Sequence, residues 1–224
     1  MSRLRYLFLC FLLCAGSTTL DARNHDVRVG GRTGHNAANG VFGAVSAETY
    51  HRFHESFSVC GGVQYNTVGR TTVETHPAWV KDYDWGTLSA EMLLLYSNTL
   101  SLNNVAACVG ADLRGRWIGG KLGYYYRLYG GTGGIITEPF NLYYEFCVNI
   151  LPMIDDWDLG LLVTNNEMFE LERHYYPSFI AECSYYPLEY LGVSLGLGCK
   201  PSGIFHISAD YYQSFLKLGV CYRW

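Results

Sequence analysis

The sequence predicts an all-β protein, an antiparallel up-and-down transmembrane β-barrel. Segments that alternate apolar and polar residues recur about every 10 to 20 residues, as half-buried strands require. No segment sustains an apolar period of 3.6 residues, which is the period of an amphipathic helix. Charged residues make up 16% of the chain, against roughly 25% in ordinary soluble domains. With 19 Tyr and 25 Gly among 224 residues, the composition favours β-structure in an unusual solvent.

The N-terminus has the three-part organisation of a secretory signal peptide. MSRLRYLFLCFLLCAGS places two arginines before an apolar run over 6–13, and small residues follow it. This run is too short to span a bilayer. We expect residues 1–17 to be the signal peptide, with cleavage as late as Ala22 as the second choice, so that 23–224 forms the barrel. Lipoprotein processing at Cys14 is the rival, which Leu13 disfavours because a small residue is expected there.

The rest of the chain limits the class of protein further. No later stretch reaches the roughly 18 to 20 consecutive apolar residues of a transmembrane helix. The formal net charge of −4 gives no reason to expect nucleic acid as a partner. An exported chain of this kind is either soluble outside the cytoplasm or a β-barrel in an outer membrane.

We predict twelve strands, or eight or ten if some of the segments belong together. They lie near 26–33, 40–50, 56–68, 86–96, 103–113, 117–128, 139–150, 158–165, 175–186, 189–199, 203–211 and 214–224. With the first strand at Asp26, residues 69–84 become an outer loop and residues 200–203 an inner turn. The connection over 166–174 is then long for an inner turn. The glycine-rich stretch 129–134 is predicted to be a flexible turn, because no Lys, Ser or Thr follows it as in a phosphate-binding loop.

One face of these segments is apolar, and the other combines glycines with charges of both signs. The outward face of a soluble β-sandwich, which is the alternative fold, would be rich in Lys, Glu, Thr and Ser. Small residues and opposite charges instead suit a crowded, partly wet interior, so the pattern predicts a barrel with a polar lumen. The predicted lumen charges are Arg28, Glu48, Glu91, Asp112, Lys121, Arg127, Glu145, Glu182, Asp210, Lys217 and Arg223.

The chain ends on FLKLGVCYRW, a strand whose alternate residues are all apolar. These residues are Leu216, Leu218, Val220, Tyr222 and Trp224. The pattern resembles the C-terminal assembly signal of Gram-negative outer-membrane β-barrel proteins, and the whole chain resembles small porin-like or opacity-type barrels. The resemblance implies location in the bacterial outer membrane, with outer-membrane lipid, the barrel assembly machinery and periplasmic chaperones as partners. It leaves the oligomeric state open.

The predicted function is that of a narrow channel or a structural barrel with a charged lumen, without catalysis. Twelve strands enclose more space than eight, so a water path is physically allowed. Long side chains such as Arg127, Arg223 and Lys121 could equally pair with the acids and fill the lumen. Both possibilities stay open at the level of sequence.

A lipid-acting enzyme is the alternative function. His206, Ser208 and Asp210 share one side of GIFHISAD, and the His–Ser spacing resembles the HxS motif of outer-membrane lipid A deacylases. That resemblance implies Ser208 as nucleophile and His206 as its base. The match is partial, because Ala209 stands where Asn usually follows the serine and the pair is predicted to face the lumen. A polar lumen cluster that includes Lys217 explains the same residues.

Two further features have alternative interpretations. His76, Trp79, Tyr83 and Trp85 follow one another in the predicted outer loop, which suggests either an external contact or an aromatic girdle at the bilayer surface. Six cysteines remain after the signal peptide, without a CxxC pair, and either fill small-residue positions or include one cross-strand disulfide. These cysteines are Cys60, Cys108, Cys147, Cys183, Cys199 and Cys221. No motif predicts a cofactor or a metal site.

Overall fold

Twelve antiparallel strands form one closed barrel. The computed structural model describes residues 25–37, 40–67, 69–98, 102–131, 134–154, 156–165, 177–202 and 210–224, so the predicted signal peptide lies outside the described residues. The strands are β1 (His25–Asn36), β2 (Gly40–His54), β3 (Phe57–Asn66), β4 (Thr71–Tyr83), β5 (Gly86–Asn98), β6 (Leu102–Gly115), β7 (Ile118–Gly131), β8 (Gly134–Ile154), β9 (Trp157–Thr164), β10 (Ser178–Leu188), β11 (Leu191–Ser202) and β12 (Asp210–Arg223). Over these ranges the structure contains no helix long and apolar enough to cross a membrane.

The barrel closes by pairing its last strand with its first. Each strand pairs with its neighbours in sequence, and β1 pairs with β12. This seam runs without a register shift from Asp26 opposite Arg223 to Asn36 opposite Gln213. Every strand therefore has two partners, which is the condition for a sheet surrounded by hydrocarbon. The predicted fold class and the number of strands are confirmed.

The two ends of the barrel differ in the length of their connections. At the end where β1 begins and β12 ends, five turns of two residues join β2 to β3, β4 to β5, β6 to β7, β8 to β9 and β10 to β11. We call this the turn end. The opposite end, the loop end, has the longest connections, over 165–177 and 203–209. Short turns on the periplasmic side and longer loops outside are typical of outer-membrane barrels, so the turn end corresponds to the periplasmic side.

The predicted outer loop over 69–84 is wrong, because most of it is strand β4. Thr71–Tyr83 pairs with both β3 and β5, and the turn that follows it lies at the turn end. Two features hide this strand in the sequence. Pro77 has no N–H to donate, and the ladder to β5 skips residues 76–77. The outward face also includes polar residues such as Thr75 and Lys81, where an apolar residue is expected.

The predicted assignment near the C-terminus is also corrected. β12 runs without interruption from Asp210 to Arg223, so segments 203–211 and 214–224 do not form two strands. Residues 203–209 lie outside the described residues. Lys200 belongs to the end of β11 and leads to the loop end, not to an inner turn. The long connection after β9 also lies at the loop end, which removes the difficulty of a long inner turn.

The exterior of the barrel is an apolar band. Its exposed residues include Val29, Val45, Leu94, Val109, Leu122, Phe146, Val148, Leu161, Leu197, Leu218 and Val220. The terminal pattern follows this arrangement, because Val220 and Tyr222 pair with Val29 and Val27 on the outward side of β1. An apolar exterior around a closed ladder is the surface that lipid requires.

All five tryptophans of the chain lie at the turn end. They are Trp79, Trp85, Trp117, Trp157 and Trp224. Several contact neighbouring tyrosines: Trp85 stacks on Tyr83 with ring centroids 5.0 Å apart, and the Trp157 ring lies tilted against Tyr185 with centroids 4.6 Å apart. Trp and Tyr gather where a membrane meets water. This placement favours an aromatic girdle over an external contact for Trp85.

Trp224 also fastens the seam of the barrel. Its backbone N–H donates to the His25 carbonyl at 3.0 Å, and its ring stacks on His25 with centroids 5.9 Å apart. The Nδ1 atoms of His25 and His51 lie 3.0 Å apart, which connects β2 to the same cluster. The end of the chain is thus held against both β1 and β2.

We expect Trp224→Ala to lower the free energy of unfolding by about 1–2 kcal/mol, because an aromatic contact and part of its buried area are lost at the seam. Urea unfolding of protein refolded in detergent micelles, followed by heat-modifiable mobility, measures this change. Trp117→Ala is the matched control, since it removes a girdle tryptophan away from the seam. An equal loss in both variants would contradict a special role for the seam.

Candidate functional site in the barrel lumen

A charged cavity of about 560 Å³ occupies the lumen. It results from strand alternation, because residues between the outward apolar positions point inward. Its lining residues with a charged or imidazole side chain are Arg32, Glu48, Glu74, His76, Glu91, Asp112, Arg114, Lys121, Glu145 and Lys217. A smaller cavity of about 60 Å³ shares Glu48 and Lys217 with it and adds Arg28 and Glu182.

Glu91 is the centre of a buried ion-pair network. Its carboxylate lies 2.9 Å from Lys121 Nζ and accepts a hydrogen bond from the Tyr143 hydroxyl at 2.7 Å. His76 Nδ1 lies 3.9 Å away on one side, and its Nε2 lies 3.0 Å from Glu74. Only 12% of the Lys121 side chain and 7% of the Glu91 side chain are exposed. Each charge in the network therefore depends on its partners for solvation.

Three further cations of the lumen are also in contact with carboxylates. Arg114 Nε lies 2.9 Å from Asp112, and its Nη2 bonds Glu145. Lys217 Nζ lies 3.1 Å from Glu182, and Arg28 lies 3.4 Å from Asp26. The Lys217 pair is much more open, with 42% of the lysine side chain exposed. Exposed pairs of this kind contribute little to stability.

Aromatic side chains lie flat on glycines of neighbouring strands. Tyr143 of β8 covers Gly123 of β7 and Gly110 of β6, which allows its hydroxyl to reach Glu91 on β5. Phe215 covers Gly198, and Tyr186 covers Gly192. Rings on β-sheet glycines recover the packing that a missing side chain would lose. The abundance of Tyr and Gly in the sequence has this structural use.

Cations stack on two of these rings. The Arg32 guanidinium lies 3.5 Å from the Phe215 ring centroid and 5.5 Å from that of Phe42. The Arg223 guanidinium lies 4.3 Å from the Tyr186 ring centroid and donates to the tyrosine hydroxyl at 2.8 Å. Cation–π contacts therefore hold these arginines against the wall.

Buried apolar residues line the lumen on the loop-end side of most of the charges. Phe42, Ile180 and Phe215 form one buried cluster, with Leu162 packed against it. Leu93, Leu95, Ala106, Cys108 and Tyr143 form another. These residues precede or follow the charged ones by two to six positions on the same strands, always towards the loop end. Buried polar side chains lie beyond them, including Asn36, whose amide donates to Gln213 at 2.9 Å.

The structure places most of the predicted lumen charges around these cavities. Glu48, Glu91, Asp112, Lys121, Glu145 and Lys217 line the larger cavity, and Arg28 and Glu182 line the smaller one. Arg223 contacts Tyr186 near the turn end. Arg127 and Asp210 lie on β7 and β12, but their side chains are outside the described part of the structure.

Three charged cavity residues and one histidine were missed by sequence reasoning. Glu74 and His76 lie in the segment predicted to be a loop, and Arg114 lies one residue past the predicted end of its strand. Arg32 could have been found, because it has the same parity as Arg28 within the predicted first strand.

The residues of the enzyme alternative are not brought into a described site. His206 and Ser208 lie outside the described residues, and Asp210 begins β12. Among the residues described, no group of three His, Cys, Asp or Glu side chains could hold a metal ion. The alternative of a cross-strand disulfide is wrong, because all six cysteines are free thiols. None lies opposite another: Cys199 faces Phe179 and Ser214, and Cys183 faces Leu195.

Solved structures of outer-membrane barrels resemble this fold, whereas no protein-family model and no curated protein sequence matches the chain. The "KdgM porin in complex with disordered oligogalacturonate" has a TM-score of 0.57 at 13% identity, over 89% of this chain and 99% of that one. The NanC porin has a TM-score of 0.57 at 12% identity, over 89% and 100%. The translocator domain of the autotransporter NalP from Neisseria meningitidis has a TM-score of 0.56 at 11% identity, over 100% and 96%.

These comparisons confirm the predicted resemblance to outer-membrane β-barrels at the level of fold. Two porins and a translocator domain have the same architecture, so the fold alone does not select a function. The chemistry of the lumen has to decide that question.

We expect Glu91→Gln to lower the free energy of unfolding by about 3 kcal/mol, because it leaves the buried Lys121 without its carboxylate. Glu182→Gln is the matched control. It removes the same charge from an open pair and should cost less than about 1 kcal/mol. Urea midpoints in detergent micelles measure both changes, and equal losses would contradict the assigned difference in burial.

We expect Gly123→Ala to destabilise the barrel by about 1–3 kcal/mol, since its methyl group would overlap the Tyr143 ring and lie 2.6 Å from the Val109 carbonyl oxygen. Gly130→Ala on the same strand is the control, because a methyl group there meets nothing within 4 Å. The same unfolding assay applies. A Gly123→Ala protein as stable as Gly130→Ala would show that the ring does not rest on Gly123.

Proposed function

We propose that this protein is a narrow outer-membrane channel whose lumen combines a charged chamber with an apolar constriction. The charged cavity of about 560 Å³ within the closed barrel is the observation that supports this proposal most directly. Its volume is in the range of small-molecule sites, roughly 300–1,000 Å³. The proposal gives the chain no catalytic role.

The direction of the ion pairs favours a channel over a lumen filled by salt bridges. Glu91 and Lys121 belong to β5 and β7, Arg114 and Glu145 to β6 and β8, and Glu182 and Lys217 to β10 and β12. Each pair thus joins strands with one strand between them. The pairs run along the wall and leave space at the centre of the chamber.

The apolar clusters support a constriction on the loop-end side of the charged cavity. Phe42, Ile180 and Phe215 lie nearer the loop end than Glu48, Glu182 and Lys217 on the same strands. Arg32 of β1 stacks on Phe215. Hydrophobic constrictions restrict the passage of water and ions. We therefore place the constriction towards the outer side of the membrane and the charged chamber towards its centre.

The proposed location and partners follow from the surface and the terminal strand. An apolar exterior with a tryptophan girdle suits outer-membrane lipid. The alternation from Leu216 to Trp224 supports recognition by the barrel assembly machinery and by periplasmic chaperones.

We expect purified wild-type protein to show small single-channel conductance in planar bilayers, and Phe215→Ala to show a larger one, because the substitution removes a ring from the constriction. Phe42→Ala is a second variant at the same level. Leu218→Ala is the matched control, since it shortens an outward residue of the same strand.

Heat-modifiable mobility verifies that each variant is folded before it is measured. The absence of conductance in the wild-type protein and in both folded constriction variants would contradict the proposed channel function. Equal conductance of Phe215→Ala and wild type would contradict the position of the constriction.

A further inference from the structure

The carboxylate of Glu48 differs from the other acids of the chamber. It lines both cavities of the lumen, yet within the described part of the chain it makes no hydrogen bond or ion pair. Its cross-strand neighbour is Arg28, whose guanidinium contacts Asp26 at 3.4 Å. Arg28 is thus the neighbour of two carboxylates, Asp26 and Glu48, but it makes contact with Asp26 only. The charge of Glu48 is therefore not neutralised by a direct contact.

The cations of the two cavities are held by other groups. Arg114 and Lys121 contact Asp112, Glu145 and Glu91. Lys217 contacts Glu182, and Arg32 stacks on Phe215. A passing anion would have to compete with these partners for every one of these cations. A passing cation meets a carboxylate at Glu48 that no described cation contacts.

The charges that line the two cavities are balanced in total, so the contacts of single residues decide the preference. The described residues around the two cavities comprise the cations Arg28, Arg32, Arg114, Lys121 and Lys217 and the carboxylates Glu48, Glu74, Glu91, Asp112, Glu145 and Glu182. His76 lies between two carboxylates, with Glu74 at 3.0 Å and Glu91 at 3.9 Å, and counts as a sixth cation, so the two signs are equal in number. With equal totals, the field that a passing ion meets depends on the position of single charges and on which of them lack a contact.

We propose that Glu48 is a selectivity-determining residue and makes the channel prefer small cations, such as K⁺ or a primary ammonium, over anions. This inference rests on the proposed channel function. A unit charge about 8–10 Å from the ion path in a water-like dielectric raises the permeability ratio of K⁺ to Cl⁻ by roughly fourfold. Screening reduces the preference at high salt.

Glu48→Gln tests the proposal, because it removes the charge at nearly constant shape and leaves no described partner without its counter-ion. The measurement is the reversal potential across a planar bilayer under a KCl gradient, at low and at high ionic strength. We expect a K⁺ preference in wild type that falls by roughly fourfold in Glu48→Gln and reverses in Glu48→Lys. Glu189→Gln in the turn between β10 and β11 removes the same charge outside the lumen and should keep the wild-type ratio.

The outcomes separate the two proposals. A conducting wild type without cation preference, or one whose preference survives Glu48→Gln, overturns the role of Glu48 and leaves the channel intact. If the wild-type protein shows no conductance, the reversal potentials of the same substitutions are measured in the Phe215→Ala protein. If the Phe215→Ala protein also shows no conductance, both the proposed channel function and the role of Glu48 are overturned.

Discussion

The pairing of the last strand with the first is the constraint on which the rest of the structure depends. Hydrocarbon offers no hydrogen bonds, so an edge strand would leave a row of unpaired backbone groups in lipid. The seam between β1 and β12 removes that edge over eleven residue pairs. Closure also fixes the two faces, because every strand must turn the same set of alternate residues outward. The apolar exterior and the charged lumen are therefore consequences of one register.

Closure leaves an interior that is too wide for small side chains to fill. Two kinds of side-chain contact line this interior. Aromatic rings lie along the wall on glycines of adjacent strands, as Tyr143 does on Gly110 and Gly123. Ion pairs join strands that are two apart, as Glu91 and Lys121 do. Both devices line the wall and leave the centre unfilled. The high content of Tyr and Gly and the low content of charge follow from this arrangement.

Alternation was enough to predict the all-β fold, the closing strand and the inward side of most lumen charges, because a period of two is a local property of the chain. The loop assignments depended on single residues and failed there. Pro77 and the polar outward residues of β4 concealed a strand, while β12 was preceded by a segment that resembled another one. The two errors cancelled in the strand count. They nevertheless assigned the connections between β4 and β12 to the wrong end of the barrel. Glu74 and His76 could not be placed in the lumen without β4.

The side-chain contacts that the lumen charges make across strands could not be predicted from the sequence, and these contacts decide what each charge does. Parity places Glu48 and Glu91 on the same face, but only the register shows that Lys121, His76 and Tyr143 surround one of them and that no described cation contacts the other. A buried charge with partners is tied to the fold, since removing either member leaves the other unsolvated. A charge without partners is available to a solute. The period of two residues also sets the distance between the apolar and the charged residues of the lumen. Phe215 and Lys217 are consecutive inward residues of β12, and Ile180 and Glu182 are consecutive inward residues of β10. The apolar and the charged residues thus occupy successive levels of one wall, and they touch where Arg32 stacks on Phe215 and where Tyr143 donates to Glu91.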